Sequence, residues 1–275
     1  MKQTKKWLHL FGLAVVVLFL TACGTEAITS ESTGLWDRYI IYNLSQFIIW
    51  LSNIFGGSYA IGIIIFTVLI RIITVPLTKM QFDSQRQMQE IQPEIDKLKA
   101  KYPGRDRASM EAMQREQREI MEANGVNQFA GCLPVAIQLP IMMALYQAIG
   151  RTEILKEGHF LWMSLGQMDP FFVLPIVAAV LTFANSYFTM KSSPSQGGAM
   201  KTMTYVMPAM ILLISVGLPA AVTLYWVVSN AVTLIQTFML NNPYKIIEER
   251  QAKAQAERDK QRELKRALKR ATRRK

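Results

Sequence analysis

Residues 58–79 read SYAIGIIIFTVLIRIITVPLTK, and this stretch decides what kind of protein the chain is. It is apolar almost throughout and holds no acidic residue, yet Arg71 sits well inside it. At about 1.5 Å of rise per residue, Arg71 lies roughly 20 Å into a bilayer whose hydrocarbon core is about 30 Å thick. Insertion scales put the cost of an arginine there at about 2.5–3.5 kcal/mol. One reading has Arg71 snorkelling towards the side on which Lys79 lies. The other notes that Thr67, Arg71, Thr74 and Thr78 share one helical face. A single polar stripe points to a wet surface turned towards the protein interior.

Working outward, four more runs match it in character: Cys132–Ile149, Pro170–Met190, Thr202–Val216 and Pro219–Leu240. A crossing helix takes about 20 residues, so the fourth is short, and only Gly217-Leu218 separates it from the fifth. Of the 275 residues 51% are hydrophobic and 19% charged, against about 25% charged in a soluble domain. That composition excludes a disordered chain. Two cysteines exclude a disulfide-built scaffold.

The formal net charge of +11 belongs to the ends. Residues 1–22 carry Lys2, Lys5 and Lys6 with no acid, followed by an apolar run to Leu20 and then Thr21-Ala22-Cys23-Gly24. This pattern resembles a bacterial lipobox, which implies cleavage before Cys23 and its lipidation; an ordinary signal peptide or a first span is the alternative. Residues 23–57 then form an external segment. Within it Ile40, Leu44, Phe47, Ile48 and Leu51 recur at helical spacing beside Trp36, Tyr39 and Trp50, predicting a helix on the membrane surface.

After the first span (58–77), residues 78–130 balance nine basic against nine acidic side chains. A thin apolar seam and Tyr102-Pro103-Gly104 predict a helical hairpin, with Pro93 marking an irregularity in its first arm. Spans two to five occupy 131–240. Lys191 and Lys201 in one connection and the basic tail, 241–275, place both on the cytoplasmic side by the positive-inside rule, which leaves the N-terminus outside.

Polar stripes recur in other spans. Thr182, Asn185, Ser186 and Thr189 share a face, as do Thr223, Trp226, Asn230, Thr233 and Thr237, while Gln138 lies between Pro134 and Pro140. No span contains an acid, so Arg71 has no carboxylate partner in the membrane. Taken together the stripes suggest a hydrated cavity around one cation; taken singly, such residues are ordinary interhelical hydrogen-bond glue. No metal, nucleotide or nucleophile motif is present, so neither an enzyme nor a cofactor is expected.

The segments RIITVPLTK (71–79), NQFAGCLPVAIQLPIMMALYQAI (127–149) and LYWVVSN (224–230) resemble the YidC-type membrane-protein insertases. The lipobox and the lack of a large external domain resemble the Gram-positive members. The resemblance implies an all-α polytopic membrane protein, with five transmembrane helices around a hydrophilic groove, a cytoplasmic helical hairpin and an external interfacial helix. It implies Arg71 as the groove arginine, Thr67 one turn earlier, and Trp226 as an aromatic of the fifth span; Asn185 and Gln138 join them by stripe and position. The implied partners are nascent membrane proteins and the Sec translocon. The basic end of the tail, Lys265, Arg266, Lys269, Arg270, Arg273, Arg274 and Lys275, suits either ribosomal RNA or membrane lipid. The rival is a small anion transporter or channel with Arg71 as its site.

Overall fold

Two adjacent glycines set the first corner of the chain. Gly56 and Gly57 take φ of +86° and +80°, a conformation glycine adopts at little cost. They join α2 (Asn43–Ile54) to α3 (Tyr59–Ile73), and the helical segments on either side are bent by 111°. A side chain at Gly62 would run into Ser52 Oγ and meet the Ile48 carbonyl at 2.7 Å, so glycine is what lets α3 pass under α2. The computed structural model describes residues 26–104, 106–126, 133–193 and 198–272. The leader, Cys23 and Arg273 to Lys275 lie outside the described residues, as does the side chain of Arg270.

Before α2 the chain runs through α1 (Trp36–Tyr42), which is π-helical where the sequence reads as one continuous α-helix. After Ile73 the helix is interrupted at Thr74 and resumes as α4 (Val75–Lys101), with Pro76 in its first turn. Proline lacks an N–H, so the break falls where a ladder bond is missing. Pro93, by contrast, lies inside α4 without ending it. Asp106 starts α5 (Arg107–Ala123) by accepting a hydrogen bond from Ser109 N at 3.0 Å. Ile91, Ile95 and Met121 are buried between α4 and α5.

The remaining elements are α6 (Leu133–Arg151), α7 (Glu153–Lys156), α8 (Val173–Lys191), α9 (Gly198–Val216), α10 (Ala220–Leu240) and α11 (Pro243–Thr272). Between α7 and α8 the chain makes a small antiparallel pair, β1 (His159–Phe160) with β2 (Met163–Ser164). The all-helical expectation missed this pair, which is too short to leave a period-two pattern. Among the described residues two helices are long and apolar enough to cross a bilayer, Val173–Lys191 and the rod that begins at Ala220; the bent pair Trp36–Ile54 and Tyr59–Ile73 makes a third only as one span. Thr202–Val216 is a shorter apolar helix. The chain is thus a predominantly helical membrane protein.

The packing is polarised. Ile63 and Phe66 from α3, Leu145 and Ile149 from α6, Leu174 from α8 and Val222, Leu224 and Tyr225 from α10 form one buried cluster beneath α2. All come from the same end of their helices, and that end is dry. The loop after β2 completes it: Gln167 O and Leu165 O accept from Ala220 N and Ala221 N at 2.6 and 3.1 Å, satisfying the donors that open α10.

Candidate functional site

At the opposite end the helices separate around a cavity of about 730 Å³. The stripe of α3 reaches it only in part. Thr67 is fully buried, with its hydroxyl bonded back to the Ile63 carbonyl at 2.6 Å. It stands at the level of the dry cluster and is not among the residues that line the cavity. Arg71, one turn on, is half-buried and lines the cavity together with Thr74 and Thr78.

Two neighbouring helices hold Arg71. From α10, Ser229 Oγ accepts from Nε at 2.9 Å and also from Nη2. From α6, Gln138 Oε1 faces Nη2 at 3.5 Å, while its Nε2 donates to the Tyr225 hydroxyl at 2.7 Å. The backbone is gripped as well: Gln236 Nε2 donates to the Arg71 carbonyl at 3.0 Å, beside the interruption at Thr74. None of the ion pairs among the described residues involves Arg71. A guanidinium offers five N–H donors, so a hydroxyl and an amide leave it with capacity for an anionic visitor.

Asn185 and Trp226 line the same cavity. Asn185 Nδ2 donates to the Asn230 carbonyl and to Asn230 Oδ1 at 3.1 and 3.2 Å, and Asn230 Nδ2 returns to the Trp226 carbonyl at 2.9 Å. The buried Asn185 Oδ1 has no partner among the described residues. The facing wall is greasy, with Met207, Met210, Ile211 and Ile214 from α9. One side of the cavity therefore offers hydrogen bonds and a cation, and the other offers apolar, adaptable methionine surface.

Of the residues expected from the sequence, the structure brings Arg71, Gln138, Asn185 and Trp226 to one cavity and leaves Thr67 out. Lys265, Arg266 and Lys269 are exposed along α11, far in sequence from the cavity helices. Ser229 and Tyr225 were missed although both lie in LYWVVSN; a serine three positions after Trp226 carries no local signal of an arginine on another helix. The middle of α4 and the first turns of α11 are joined by Arg86, which pairs with Glu249 at 2.7 Å. That hydrogen bond raises the Arg86 pKa. Burial instead lowers that of neighbouring Arg250, whose Nη1 donates to the Ser192 carbonyl at 2.6 Å.

A helical membrane protein closed by a dry cluster at one end, with an arginine-bearing polar cavity at the other, is the class these features define. The chain belongs to the 60Kd inner membrane protein family, whose profile matches residues 50–249. It is 49% identical over 252 residues to "Membrane protein insertase YidC 1" of Lactococcus lactis subsp. lactis (strain IL1403), covering 91% of this chain and 93% of that protein. It is 50% identical over 256 residues to "Membrane protein insertase YidC 2" of Lactiplantibacillus plantarum, covering 93% and 92%. Among solved structures it resembles the "Active YidC insertase crystal structure with the first transmembrane domain resolved", with a TM-score of 0.60 and 27% identity. That match covers 75% of this chain and spans about half, 47%, of the solved one.

Proposed function

We propose that the protein is a membrane protein insertase and chaperone, acting alone or with the Sec translocon, and that the cavity around Arg71 is its substrate groove. The observation that carries the groove assignment is the guanidinium held by Ser229 and Gln138 with no carboxylate among its contacts. A polar segment of a nascent protein faces a barrier set by the thickness of dry hydrocarbon it must cross. A wet groove that reaches partway shortens that distance. Arg71 attracts acidic groups of the segment, and the methionine-rich wall receives the adjoining apolar helix. Partitioning of that helix into lipid then releases it.

In this reading α3, α6, α8, α9 and α10 are the five spans, α1 and α2 lie along the external interface, and the α4–α5 hairpin and α11 are cytoplasmic. The 15-residue α3 is shorter than the roughly 20 residues of a full crossing, which suits a locally thinned bilayer. Cys23 carries the lipid anchor outside. The exposed basic residues of α11 contact the ribosome, with anionic lipid as the competing surface. The dry cluster beneath α2 counts against the transporter or channel, which needs a path open at both ends.

The test is reconstitution in liposomes, scoring insertion of single-span substrates with and without acidic residues in the translocated segment. Arg71→Ala is expected to impair the acidic substrates while the protein stays folded. Equal insertion of both substrates by wild type and variant would overturn the role of the groove charge. Removal of the tail after Tyr244 is expected to reduce ribosome co-sedimentation with steep salt dependence.

A further inference from the structure

The loop that joins α7 to α8 has a surface unlike that of an ordinary solvent-facing connection. From Phe160 to Met190 the sequence holds a single charged residue, Asp169, and that residue is buried, 3% exposed. Large apolar side chains stand outward around it: Leu161 is 73% exposed, Phe171 66% and Met168 59%, with Trp162 and Phe172 close behind. Loops that face water are rich in polar turn residues, and an exposed apolar patch of this kind marks a site of contact.

The loop is built to hold these side chains out. Asp169 accepts hydrogen bonds from Leu174 N at 2.7 Å, from Trp162 Nε1 at 2.9 Å and from Phe171 N at 3.1 Å. One carboxylate thus ties the strand turn to the start of α8. Leu161 and Phe172 sit at φ of +53° and +56°, a left-handed conformation that is unfavourable for side chains of this size. Below them Met163 and Leu165 are anchored in the dry cluster, and Trp162 packs edge-on against Phe171 at 6.3 Å.

The patch is also continuous with a surface whose partner is known in kind. Exposed Val173, Ile176, Val177 and Val180 carry it directly onto α8, a helix long and apolar enough to cross a bilayer. We propose that residues 161–172 form a preformed wedge that sits in the lipid interface at the N-terminal end of α8, with Leu161, Phe171 and Phe172 among the acyl chains and Trp162 at the headgroup level. Tryptophan favours that level, and a rigid wedge avoids the ordering cost that a flexible loop meets on insertion. The occupant is lipid, and the docking depth is about 5–10 Å, as for interfacial elements generally.

The full-length protein, reconstituted in phosphatidylcholine–phosphatidylglycerol vesicles with Trp162 as its one remaining tryptophan, tests this with brominated lipids. The expected result is loss of Trp162 fluorescence to bromines placed high on the acyl chain, less loss to deep ones, and little to aqueous iodide. Because removing the other tryptophans perturbs the bundle, a nitroxide at Leu161→Cys, with Cys132 replaced by alanine and Cys23 kept for its lipid anchor, supplies a second reading. It is expected to show greater accessibility to oxygen than to a water-soluble nickel chelate. Strong iodide quenching with no bromine effect, or a nitroxide more accessible to the nickel chelate, would overturn the proposal and make the patch a protein-docking face.

Discussion

Two arginines drawn out of water, Arg71 and Arg151, are treated in opposite ways. Arg151, at the end of α6, is a closed account. Its side chain is 9% exposed, and Nη1 and Nη2 make a two-pronged pair with Asp37 at 2.9 and 2.6 Å. Nε donates to the Glu26 carbonyl, and Gln147 Oε1 bridges Nη1 to the Trp36 indole. Among the described residues Arg71 is hydrogen-bonded by a hydroxyl and two amides. The first arginine fastens the α1–α2 segment to the bundle, with every strong interaction used up internally. The second keeps its charge available. Difference in partner, more than difference in burial, separates the cation that fastens two segments from the one assigned to the proposed groove.

The largest expected effect comes from opening the closed pair. Asp37→Ala leaves Arg151 desolvated and unpaired, a change that costs about 3–5 kcal/mol in buried pairs. Thermal unfolding of the purified protein should show it, whereas Arg71→Ala, which loses hydrogen bonds but leaves no buried charge unpaired, should lower the melting temperature by less. Comparable destabilisation by both substitutions would erase the distinction. The converse change is more informative. Ser229→Asp supplies Arg71 with its own carboxylate at a position already 2.9 Å from Nε. It is expected to preserve stability while reducing insertion of acidic substrates towards the level of Arg71→Ala.

A smaller effect should follow from Ser229→Ala, which removes the principal hydroxyl on Arg71. A hydrogen bond to a charged group contributes about 1.5–3 kcal/mol, and the partly wet groove puts the loss at the low end. Ser229→Thr should restore most of the insertion activity. The smallest is a pH effect at the other end of the molecule. Burial works to raise the Asp169 pKa, but the hydrogen bonds from Leu174, Trp162 and Phe171 outweigh it and the net direction is down. A depressed carboxylate pKa stabilises the fold above its unfolded value, and the contribution fades as pH falls through the folded value. Melting temperatures measured down the acid range should therefore fall less steeply for Asp169→Asn than for wild type.

The two arginines also mark how far the sequence could be read. Arg71 was visible because an apolar run of that length makes any cation conspicuous; Asn185 followed from a stripe on its helix, Gln138 from its position in an apolar run, and Trp226 from the family resemblance. Helical periodicity reports which side chains share a face; it says nothing about how two helices are rotated against each other. That is why Ser229 escaped notice and why Thr67 was placed with Arg71 although it is buried a turn below. The Arg151–Asp37 pair joins positions 114 residues apart, and neither partner stands out locally.

The carbonyls that receive the start of α10 have a consequence for the order in which the chain is made. Leu165 and Gln167 leave the ribosome some fifty residues ahead of Ala220 and Ala221, whose N–H groups they accept. A template for the last long apolar helix is therefore already in position when that helix arrives. Until it docks, Arg71 has neither the Ser229 hydroxyl nor the Gln236 amide. The molecule thus completes its own polar cleft only with its final membrane segment, so a partly synthesised copy has no finished cleft to offer another chain.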